Sequence, residues 1–494
     1  MSFVTVQGNR FIDANGRSLL LHGINLVNKD PSVGYLGPEA AKEFVQWRSW
    51  GLNCVRLGVL WDGLEPEPGV YNDAYLQGID QQIAWATEND LFVILDMHQD
   101  LYSVQFADGA PEWATLTDDQ PHLEESEVWS DAYFTSPAVH TAWNNFWDNA
   151  PAPDGLGLQD HYAHLWAVLA KRYANNPTVI GYDLMNEPMP GSEALQAQLM
   201  MLNKGAELLA AINEDAPNVM ELAEQWLTPN GRSHILELLR DINLYAPVAD
   251  APEAVYGQFE EEKLMPFYQK VAEAIRAVDQ NHILFLGTTM GSNLGMRSHI
   301  KPITSNGQRD RQQAYAPHGY DLVTDTPDLA NASPERVEFI FKRHAETAVC
   351  LHMPMLVGEW GAYDRHPNTL APAQDVVQQF EQLLCSETYW TYLPETETFP
   401  CFQAINRPYP AQVAGKLIRY RHDPQNKTFS CRWQEDPAIT EPTILYLPKW
   451  LGFTAEKVTL TPATEISTQV TEFGCFLHIA PIGSATIRQF NFHL

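Results

Sequence analysis

Residues 179–188 read Val-Ile-Gly-Tyr-Asp-Leu-Met-Asn-Glu-Pro, an apolar, strand-like run that ends on a glutamate, Glu187. A second run, Met-Leu-Val-Gly-Glu-Trp-Gly at residues 355–361, ends in the same way on Glu359. Cleaving a glycosidic bond requires two carboxyl groups that meet in one cleft, because one protonates the leaving oxygen while the other attacks or stabilises the sugar carbon. The two stretches therefore predict cleavage of a glycosidic bond, and they predict two strands whose ends meet in one cleft.

The two runs belong to a longer alternation of strand-like and helical stretches between about residue 18 and residue 393. Such alternation is typical of repeated βα units with a parallel sheet. We predict eight strands, at residues 19–26, 54–59, 91–97, 179–185, 282–287, 314–317, 355–357 and 388–392. Eight βα units predict an α/β fold of the (β/α)8 TIM-barrel type, in which functional residues lie at the carboxyl ends of the strands.

Two connections are much longer than a simple loop. They are residues 99–160 after the third predicted strand and residues 190–262 after the fourth. In a barrel the loops that follow strands form the active-site face, so we interpret both insertions as walls that shape a substrate cleft. The first insertion is rich in aromatic residues, which would either line an apolar or sugar-stacking cleft or pack the insertion against the barrel.

The pattern changes after residue 400, where short alternating segments and turn residues replace helical periodicity. This change predicts a C-terminal all-β, sandwich-like domain at residues 401–494, docked on a catalytic barrel at residues 1–400.

Charge and composition exclude some classes of protein. The 494 residues include 31 basic and 62 acidic side chains, a net charge of −31, which argues against a nucleic-acid partner. No apolar run is long enough to cross a membrane. The six cysteines form no Cys-x-x-Cys pair, so the sequence indicates neither a zinc site nor a small disulfide framework. The N-terminus lacks the features of a signal peptide, so we expect a cytoplasmic protein, or a secreted one if a signal peptide has been removed.

Polar or aromatic side chains stand at other predicted strand ends, where a purely structural strand would simply stop. They are Arg56, Asp96, His98, His318, Tyr320 and Trp390. Because the carboxyl ends of barrel strands meet at one face, these side chains are expected to converge with the two glutamates.

In chain order, these residues resemble the active-site set of glycoside hydrolase family 5. The matching positions are Arg56, His98, Asn186-Glu187-Pro188, His318-x-Tyr320, Glu359 and Trp390. Three further segments resemble the endoglycoceramidase-like (glycosylceramidase) subgroup of that family. They are His-Gly-Ile-Asn-Leu-Val-Asn-Lys at 22–29, Leu-Asp-Met-His-Gln-Asp at 95–100, and Asn-Arg-Pro-Tyr-Pro at 406–410, which leads into Val-Ala-Gly at 413–415. The resemblance covers nearly the whole chain.

The resemblance implies a role for each glutamate. Glu187 would be the general acid/base and Glu359 the nucleophile of a retaining β-glycosidase, with carboxyl groups only about 5 Å apart. Burial and a neighbouring carboxylate would keep Glu187 protonated near neutral pH. Arg56 and Tyr320 would donate to Glu359 and keep it ionised.

The resemblance also implies a set of substrate-binding residues. They are Lys29, Asp96, His98, Asn186, His318, Tyr320 and Trp390. Asn186 would bind the sugar 2-hydroxyl, and Trp390 would form the apolar floor under a sugar ring. His318 would either bind substrate or position its neighbours, and the alternative for Lys29 is an ordinary loop lysine.

The predicted function is hydrolysis of the β-linkage between a sugar, either glucose or an oligosaccharide, and a lipid aglycone such as ceramide, without a cofactor. The expected partner is a glycolipid or other β-glycoside, with transient contact to a lipid or micelle surface. Alternatives are an exo-acting glucosylceramidase or steryl β-glucosidase, an endo-β-1,4-glucanase, and a non-catalytic carbohydrate-binding barrel. A further alternative is a metal-dependent hydrolase that uses Asp96, His98, Asp100 and His318 as ligands.

Overall fold

The computed structural model of the protein describes residues 3–37, 40–123, 128–213, 215–305 and 307–493. At its centre is a parallel sheet of eight strands, which in chain order are His22–Leu26, Cys54–Leu60, Phe92–His98, Val179–Asp183, Ile283–Gly287, Gln313–Ala316, Leu356–Gly361 and Ser386–Trp390. The eighth strand pairs with the first. Isolated parallel bridges Tyr315↔Met355 and His318↔Glu359 link the sixth and seventh strands and close the ring. The predicted TIM barrel is confirmed.

Helices follow the barrel strands and form the outer layer. The longer ones are Ala41–Ser49, Asp73–Glu88, Pro137–Trp147, Leu158–Tyr173, Glu193–Ile212, Val219–Trp226, Pro229–Leu238, Ile242–Asp250, Met265–Arg276, Pro334–Leu351 and Leu370–Leu383. Shorter helical pieces are Trp61–Leu64, Ala132–Thr135, Glu253–Phe259, Met290–Asn293, Phe402–Ile405 and the π-helical turn Glu260–Leu264. Single 3-10 turns are Pro31–Val33, Glu112–Ala114, Trp129–Asp131, Leu329–Asn331, Thr396–Thr398, Lys449–Leu451 and Ala455–Lys457. Within the described ranges, none of the helices has the length and apolar character needed to cross a membrane.

The insertion after the fourth strand is largely helical, whereas the one after the third consists mainly of loops. Residues 99–160 hold the helix Pro137–Trp147, whose Trp143 and Trp147 rings stack with their centroids 5.4 Å apart. These rings are buried against the barrel, so this part of the aromatic cluster packs the insertion onto the core.

The C-terminal part of the chain forms two antiparallel sheets that share one core. The larger sheet has the strand order Thr5–Gln7, Arg10–Ile12, Ser18–Leu19, Tyr409–Val413, Thr443–Pro448, Gly474–Ile479 and Ile466–Val470. The smaller has the order Gly415–Asp423, Thr428–Glu435, Ile487–Phe492 and Val458–Thr461. A separate pair, Thr304–Ser305 and Gln308–Arg309, lies before the sixth barrel strand. The predicted sandwich-like sheets are therefore present.

The larger sheet also takes in the N-terminal strands, because Ser18–Leu19 pairs with Tyr409–Val413. The same N-terminal segment covers the end of the barrel away from the strands' carboxyl ends. Phe11 packs there against Phe285, with ring centroids 5.9 Å apart. The domain boundary near residue 400 stays a prediction. The strand pairing shows in addition that the larger sheet contains strands from both sides of this boundary.

The sandwich is fastened to the barrel by buried hydrogen bonds to the end of helix Ala41–Ser49. The hydroxyl of Tyr446 donates to the Ser49 carbonyl at 3.0 Å, and that of Tyr409 donates to the Gly51 carbonyl at 2.8 Å. Because these donors sit on neighbouring strands of the larger sheet, the two parts of the molecule hold a fixed orientation.

Replacing Phe11 by alanine is expected to lower the free energy of unfolding by about 3–5 kcal/mol, since it empties a site at the base of the barrel. The measurement is the midpoint of urea or thermal unfolding. Val470→Ala, at a side chain that is 78% exposed, is the matched control. Equal shifts in the two variants would show that the N-terminal hairpin does not support the barrel.

Candidate active site

The centre of the site is the guanidinium of Arg56, on the second barrel strand, which is completely buried. Its Nη1 donates to Glu359 Oε1 at 2.8 Å, its Nε donates to Asp183 Oδ2 at 2.9 Å, and its Nη2 lies 2.8 Å from Asp96 Oδ1. The three carboxyl groups come from the seventh, fourth and third strands. One cation thus links side chains from four barrel strands, its own and three others.

Side-chain amides complete the surroundings of Arg56. Its Nη1 donates to Asn25 Oδ1 and its Nη2 to Asn186 Oδ1, both at 3.0 Å. The amide Nδ2 of Asn186 then donates to the carbonyl of Gln99 at 3.2 Å, and Gln99 Nε2 returns a bond to the Asn186 carbonyl at 2.8 Å. The turn that follows the fourth strand is therefore held from two sides.

Glu359 receives one donor on each carboxylate oxygen. Besides Arg56 on Oε1, the hydroxyl of Tyr320 donates to Oε2 at 2.9 Å. The preceding residue is Gly358, where a Cβ would lie only 3.0 Å from Nε2 of His318, so glycine allows the seventh strand to approach the sixth closely. Burial raises the pKa of Glu359, and the Arg56 charge opposes that rise.

Glu187 lies just past the fourth strand in the left-handed backbone region, with φ of 39°. That conformation is strained for a residue with a side chain and is typical of functional positions. Its Oε1 accepts from Asn293 Nδ2 at 2.6 Å and lies 2.8 Å from His318 Nδ1. Burial and then the Asp100 charge raise the pKa of Glu187 to about 7, whereas burial lowers that of His318 to about 4.

The two glutamates face each other across His318. One oxygen of Glu187, one of Glu359 and a ring nitrogen of His318 all lie within 4.8 Å of one another. The Nδ1 of His318 is 3.4 Å from Glu359 Oε2. Carboxyl groups about 5 Å apart are the spacing of a retaining glycosidase, in contrast to the roughly 6.5–9.5 Å of an inverting one.

Beside the glutamates lies a second charged cluster around Lys29. The ammonium group contacts Asp100, lies 3.3 Å from Asp108 Oδ2, and sits 5.1 Å from the centre of the Trp390 ring. The same ring stacks on His98 with centroids 5.2 Å apart.

The charge of His98 is set by its neighbours. Its Nδ1 lies 2.8 Å from Asp96 Oδ2. Burial and the Lys29 charge would lower the pKa of His98, but Asp96 and Asp100 outweigh them and raise it to about 10. This balance favours the cationic form of His98 at neutral pH.

The alternative metal site of Asp96, His98, Asp100 and His318 does not form as one group. Among the described residues, potential ligand atoms cluster either as His98, Asp100 and Asp108 or as Glu187, His318 and Glu359. The Lys29 ammonium contacts Asp100 and lies 3.3 Å from Asp108, the two aspartates of the first group. His318 belongs to the second group.

A cavity of about 800 Å³ opens from these clusters, within the range of ligand sites. One end is lined by Lys29, His98, Glu187, Glu359 and Trp390. The remainder is walled mainly by the two insertions and the loop after the fifth strand, including Phe106, Phe134, Met201, Trp226 and Leu294. The aromatic side chains of the first insertion thus divide between packing the insertion and lining the cavity.

Contacts between separate loops hold the wall of the cavity together. An ion pair of Arg232 Nη2 and Asp131 Oδ2 at 2.6 Å joins the two insertions. Trp129 Nε1 donates to Asp325 Oδ2 at 3.1 Å and joins the first insertion to the loop after the sixth strand.

The structure thus brings together every site residue named from the sequence. It adds five residues to which the sequence analysis assigned no role: Asn25, Gln99, Asp108, Asp183 and Asn293. Asn25 and Asp183 could have been predicted as site residues from the sequence, because each is a polar residue in an otherwise apolar barrel strand.

Comparison with known families agrees with this geometry. The profile described as cellulase (glycosyl hydrolase family 5) matches residues 12–395, and the glycoside hydrolase family 5 C-terminal domain matches residues 407–480. The chain belongs to glycoside hydrolase family 5. It is therefore a glycoside hydrolase of the retaining type, and the prediction of family and enzyme class is confirmed.

Relatives within this family include two curated endoglycoceramidases. The protein is 25% identical to the endoglycoceramidase of Cyanea nozakii, over 94% of this chain and 88% of the relative. It is 26% identical to endoglycoceramidase I of Rhodococcus hoagii, over 89% of this chain and 78% of the relative. Among solved structures, endo-glycoceramidase II from Rhodococcus sp. in complex with ganglioside GM3 is 25% identical, covers 99% of this chain and 100% of its own, and has a TM-score of 0.75.

The raised pKa of Glu187 predicts a pH-dependent stability of this family 5 enzyme. Ionising Glu187 costs more in the folded than in the unfolded state, so the carboxylate lowers stability progressively between pH 4.5 and about 7. Glu187→Gln is expected to unfold at a higher temperature than the wild type at pH 8, by an amount equivalent to roughly 3 kcal/mol, and to match it near pH 4.5.

Thermal unfolding of both proteins across this pH range checks the expectation. Glu224→Gln, at an exposed position of helix Val219–Trp226, serves as the control and should follow the wild type throughout. Parallel curves for wild type and Glu187→Gln would mean that Glu187 titrates normally.

Proposed function

We propose that the protein hydrolyses the β-linkage between a sugar and a lipid aglycone, ceramide in the first instance, by double displacement. Glu187 acts as general acid/base and Glu359 as nucleophile. The observation that carries this proposal is the cavity of about 800 Å³, which begins at the two glutamates and continues between largely apolar walls. A glycolipid needs a site with a polar end for the sugar and a more apolar end for the lipid.

In the first step Glu187 gives its proton to the glycosidic oxygen while Glu359 attacks the anomeric carbon. The aglycone leaves with a hydroxyl group, and the sugar stays as an ester on Glu359. In the second step Glu187 takes a proton from water, the resulting oxygen attacks the anomeric carbon, and Glu359 is released as a carboxylate.

The donors around the two glutamates support this division of roles. Among the described residues, the hydrogen-bonding partners of Glu187 are the amide of Asn293 and the neutral ring of His318, neither of which balances its charge. Glu359 receives the Arg56 guanidinium and the Tyr320 hydroxyl. The proton therefore rests on Glu187, and Glu359 is available as a carboxylate.

The remaining polar residues suit the recognition of the reacting sugar. Arg56 holds the Oδ1 of Asn186, which leaves one N–H of that amide for the sugar 2-hydroxyl. Trp390 presents an apolar ring beside the Lys29 ammonium. Both Lys29 and His98 line the cavity, while Asp96 is fully buried behind His98 and acts on the sugar through that ring. His318 positions both glutamates.

The aglycone is assigned to the cavity wall formed by the insertions. Relatives named endoglycoceramidases extend over nearly the whole chain, and one of them holds ganglioside GM3 in its structure. A ceramide is drawn from a micelle or membrane, so the proposal includes transient contact with a lipid surface.

Azide rescue tests the roles of the glutamates. Glu187→Ala and Glu359→Ala are expected to lose most activity on an aryl β-glucoside, and azide should restore turnover in both. The first variant still forms the ester on Glu359, so azide displaces it to give a β-glycosyl azide. The second lacks the nucleophile, so azide attacks directly and gives an α-glycosyl azide.

The configuration of the azide product, determined by NMR, decides the assignment. The opposite configurations would exchange the two roles. Sugar binding without product release from any β-glycoside would favour the carbohydrate-binding alternative.

Met201 in the cavity wall tests the aglycone. Placing a charge there by Met201→Asp should raise the KM for lactosylceramide about tenfold, equivalent to 1.4 kcal/mol, and leave an aryl β-glucoside unaffected. Met220→Asp, on the same insertion but 69% exposed and away from the cavity, is the matched control.

The products of a substrate panel complete this test. Release of lactose from lactosylceramide indicates endo action, and turnover restricted to glucosylceramide or a steryl glucoside indicates an exo enzyme. Faster turnover of cellotetraose than of any glycolipid, or equal effects of the two Asp variants, would contradict the proposed aglycone.

A further inference from the structure

Asn293 ends the short helix Met290–Asn293, which follows the fifth barrel strand. The residue is 5% exposed and lines the cavity. Its side chain donates from Nδ2 to Glu187 Oε1 at 2.6 Å, while its backbone carbonyl accepts from the backbone N–H of Tyr320 at 3.2 Å. Since Tyr320 donates to Glu359, Asn293 is linked to both glutamates.

Within the described part of the chain, the bond to Glu187 is the one side-chain hydrogen bond of the Asn293 amide. Its Oδ1 is buried and finds no hydrogen-bond partner among the described residues. A buried polar oxygen without a partner lowers stability, so the position is not explained by packing or by satisfaction of the amide. The bond from Nδ2 to Glu187 is what the side chain contributes.

We infer that Asn293 is a positioning residue that selects which oxygen of Glu187 carries the transferable proton. This rests on the proposed role of Glu187 as acid/base. A carboxyl oxygen has two lone-pair directions. On Oε1 one is taken by Asn293 Nδ2 and the other by His318 Nδ1, which lies between Glu187 and the carboxylate of Glu359 and, as a neutral ring facing that carboxylate, carries its proton on Nδ1. The proton therefore resides on Oε2, and Oε2 is the atom that meets the glycosidic oxygen.

The same contact tunes the proton affinity of Glu187. A donor to a carboxylate favours the ionised form, so the Asn293 amide counteracts the effect of burial. Without this donor the proton is held more tightly and the carboxyl group turns more freely. Proton donation to a poor leaving group then suffers more than displacement of a good one, which needs little acid assistance.

The test compares Asn293→Ala and Asn293→Asp on a phenyl and a 2,4-dinitrophenyl β-glycoside. We expect kcat/KM to fall about tenfold or more on the phenyl substrate and less than about threefold on the dinitrophenyl substrate. The alkaline limb of kcat/KM should move to higher pH in Asn293→Ala, and further in Asn293→Asp, because a second carboxylate also disfavours ionisation of Glu187.

The Asp variant keeps the shape of the side chain, so it remains informative if the Ala variant does not fold. Ser292→Ala is the matched control, since Ser292 is buried on the same helix and does not line the cavity. It should follow the wild type in both substrate preference and pH profile.

Glu187→Ala, measured in parallel, separates the two hypotheses. If it shows the leaving-group dependence and yields the β-glycosyl azide, but the Asn293 variants lose activity equally on both substrates with an unmoved pH limb, Asn293 is only structural. If Glu187→Ala itself shows no leaving-group dependence, the acid/base assignment fails.

Discussion

The guanidinium of Arg56 is wholly buried, and a charge in that position persists only when it is paired and fully hydrogen-bonded. Its partners Asp96, Asp183 and Glu359 come from three other strands, so the pairing holds the register of half the barrel. Removing any one partner leaves uncompensated charge in the interior, which typically costs 3–5 kcal/mol. The same bonds orient Glu359 and Asn186, and stability and activity therefore depend on one side chain.

The balance of charge around Arg56 decides where protons lie. Three cations, Arg56, Lys29 and His98, face six carboxyl groups in and beside the cavity, those of Asp96, Asp100, Asp108, Asp183, Glu187 and Glu359. So many carboxylates cannot all ionise when buried together. No cation of the described residues is in direct contact with Glu187, and burial raises its pKa to about 7. In the proposed mechanism, the proton that glycosidic cleavage requires is thus a consequence of how the cations are distributed.

The barrel and the insertions contribute different parts of the function. Strand ends place the reacting groups rigidly, since each is fixed by hydrogen bonding along a buried strand. The insertions are held to one another by Arg232 with Asp131 and form much of the wall of the cavity that opens from the strand ends. The proposed function therefore places the chemistry and the aglycone preference on separate elements, the rigid strands and the surface loops.

The sequence by itself determined the eight strands, the two glutamates and the polar residues at strand ends. A buried parallel strand is recognised as a continuous apolar run, and in a barrel its carboxyl end lies at the active-site face. It also carried enough family-specific residues to indicate the enzyme class. Asn293 was out of reach, since it lies six residues beyond its strand and its contact with Glu187 depends on the path of a loop. Likewise, alternation near the N-terminus predicts strands but not their pairing with residues 409–413. Only tertiary structure decides contacts between segments hundreds of residues apart, because they depend on the summed packing of everything between them.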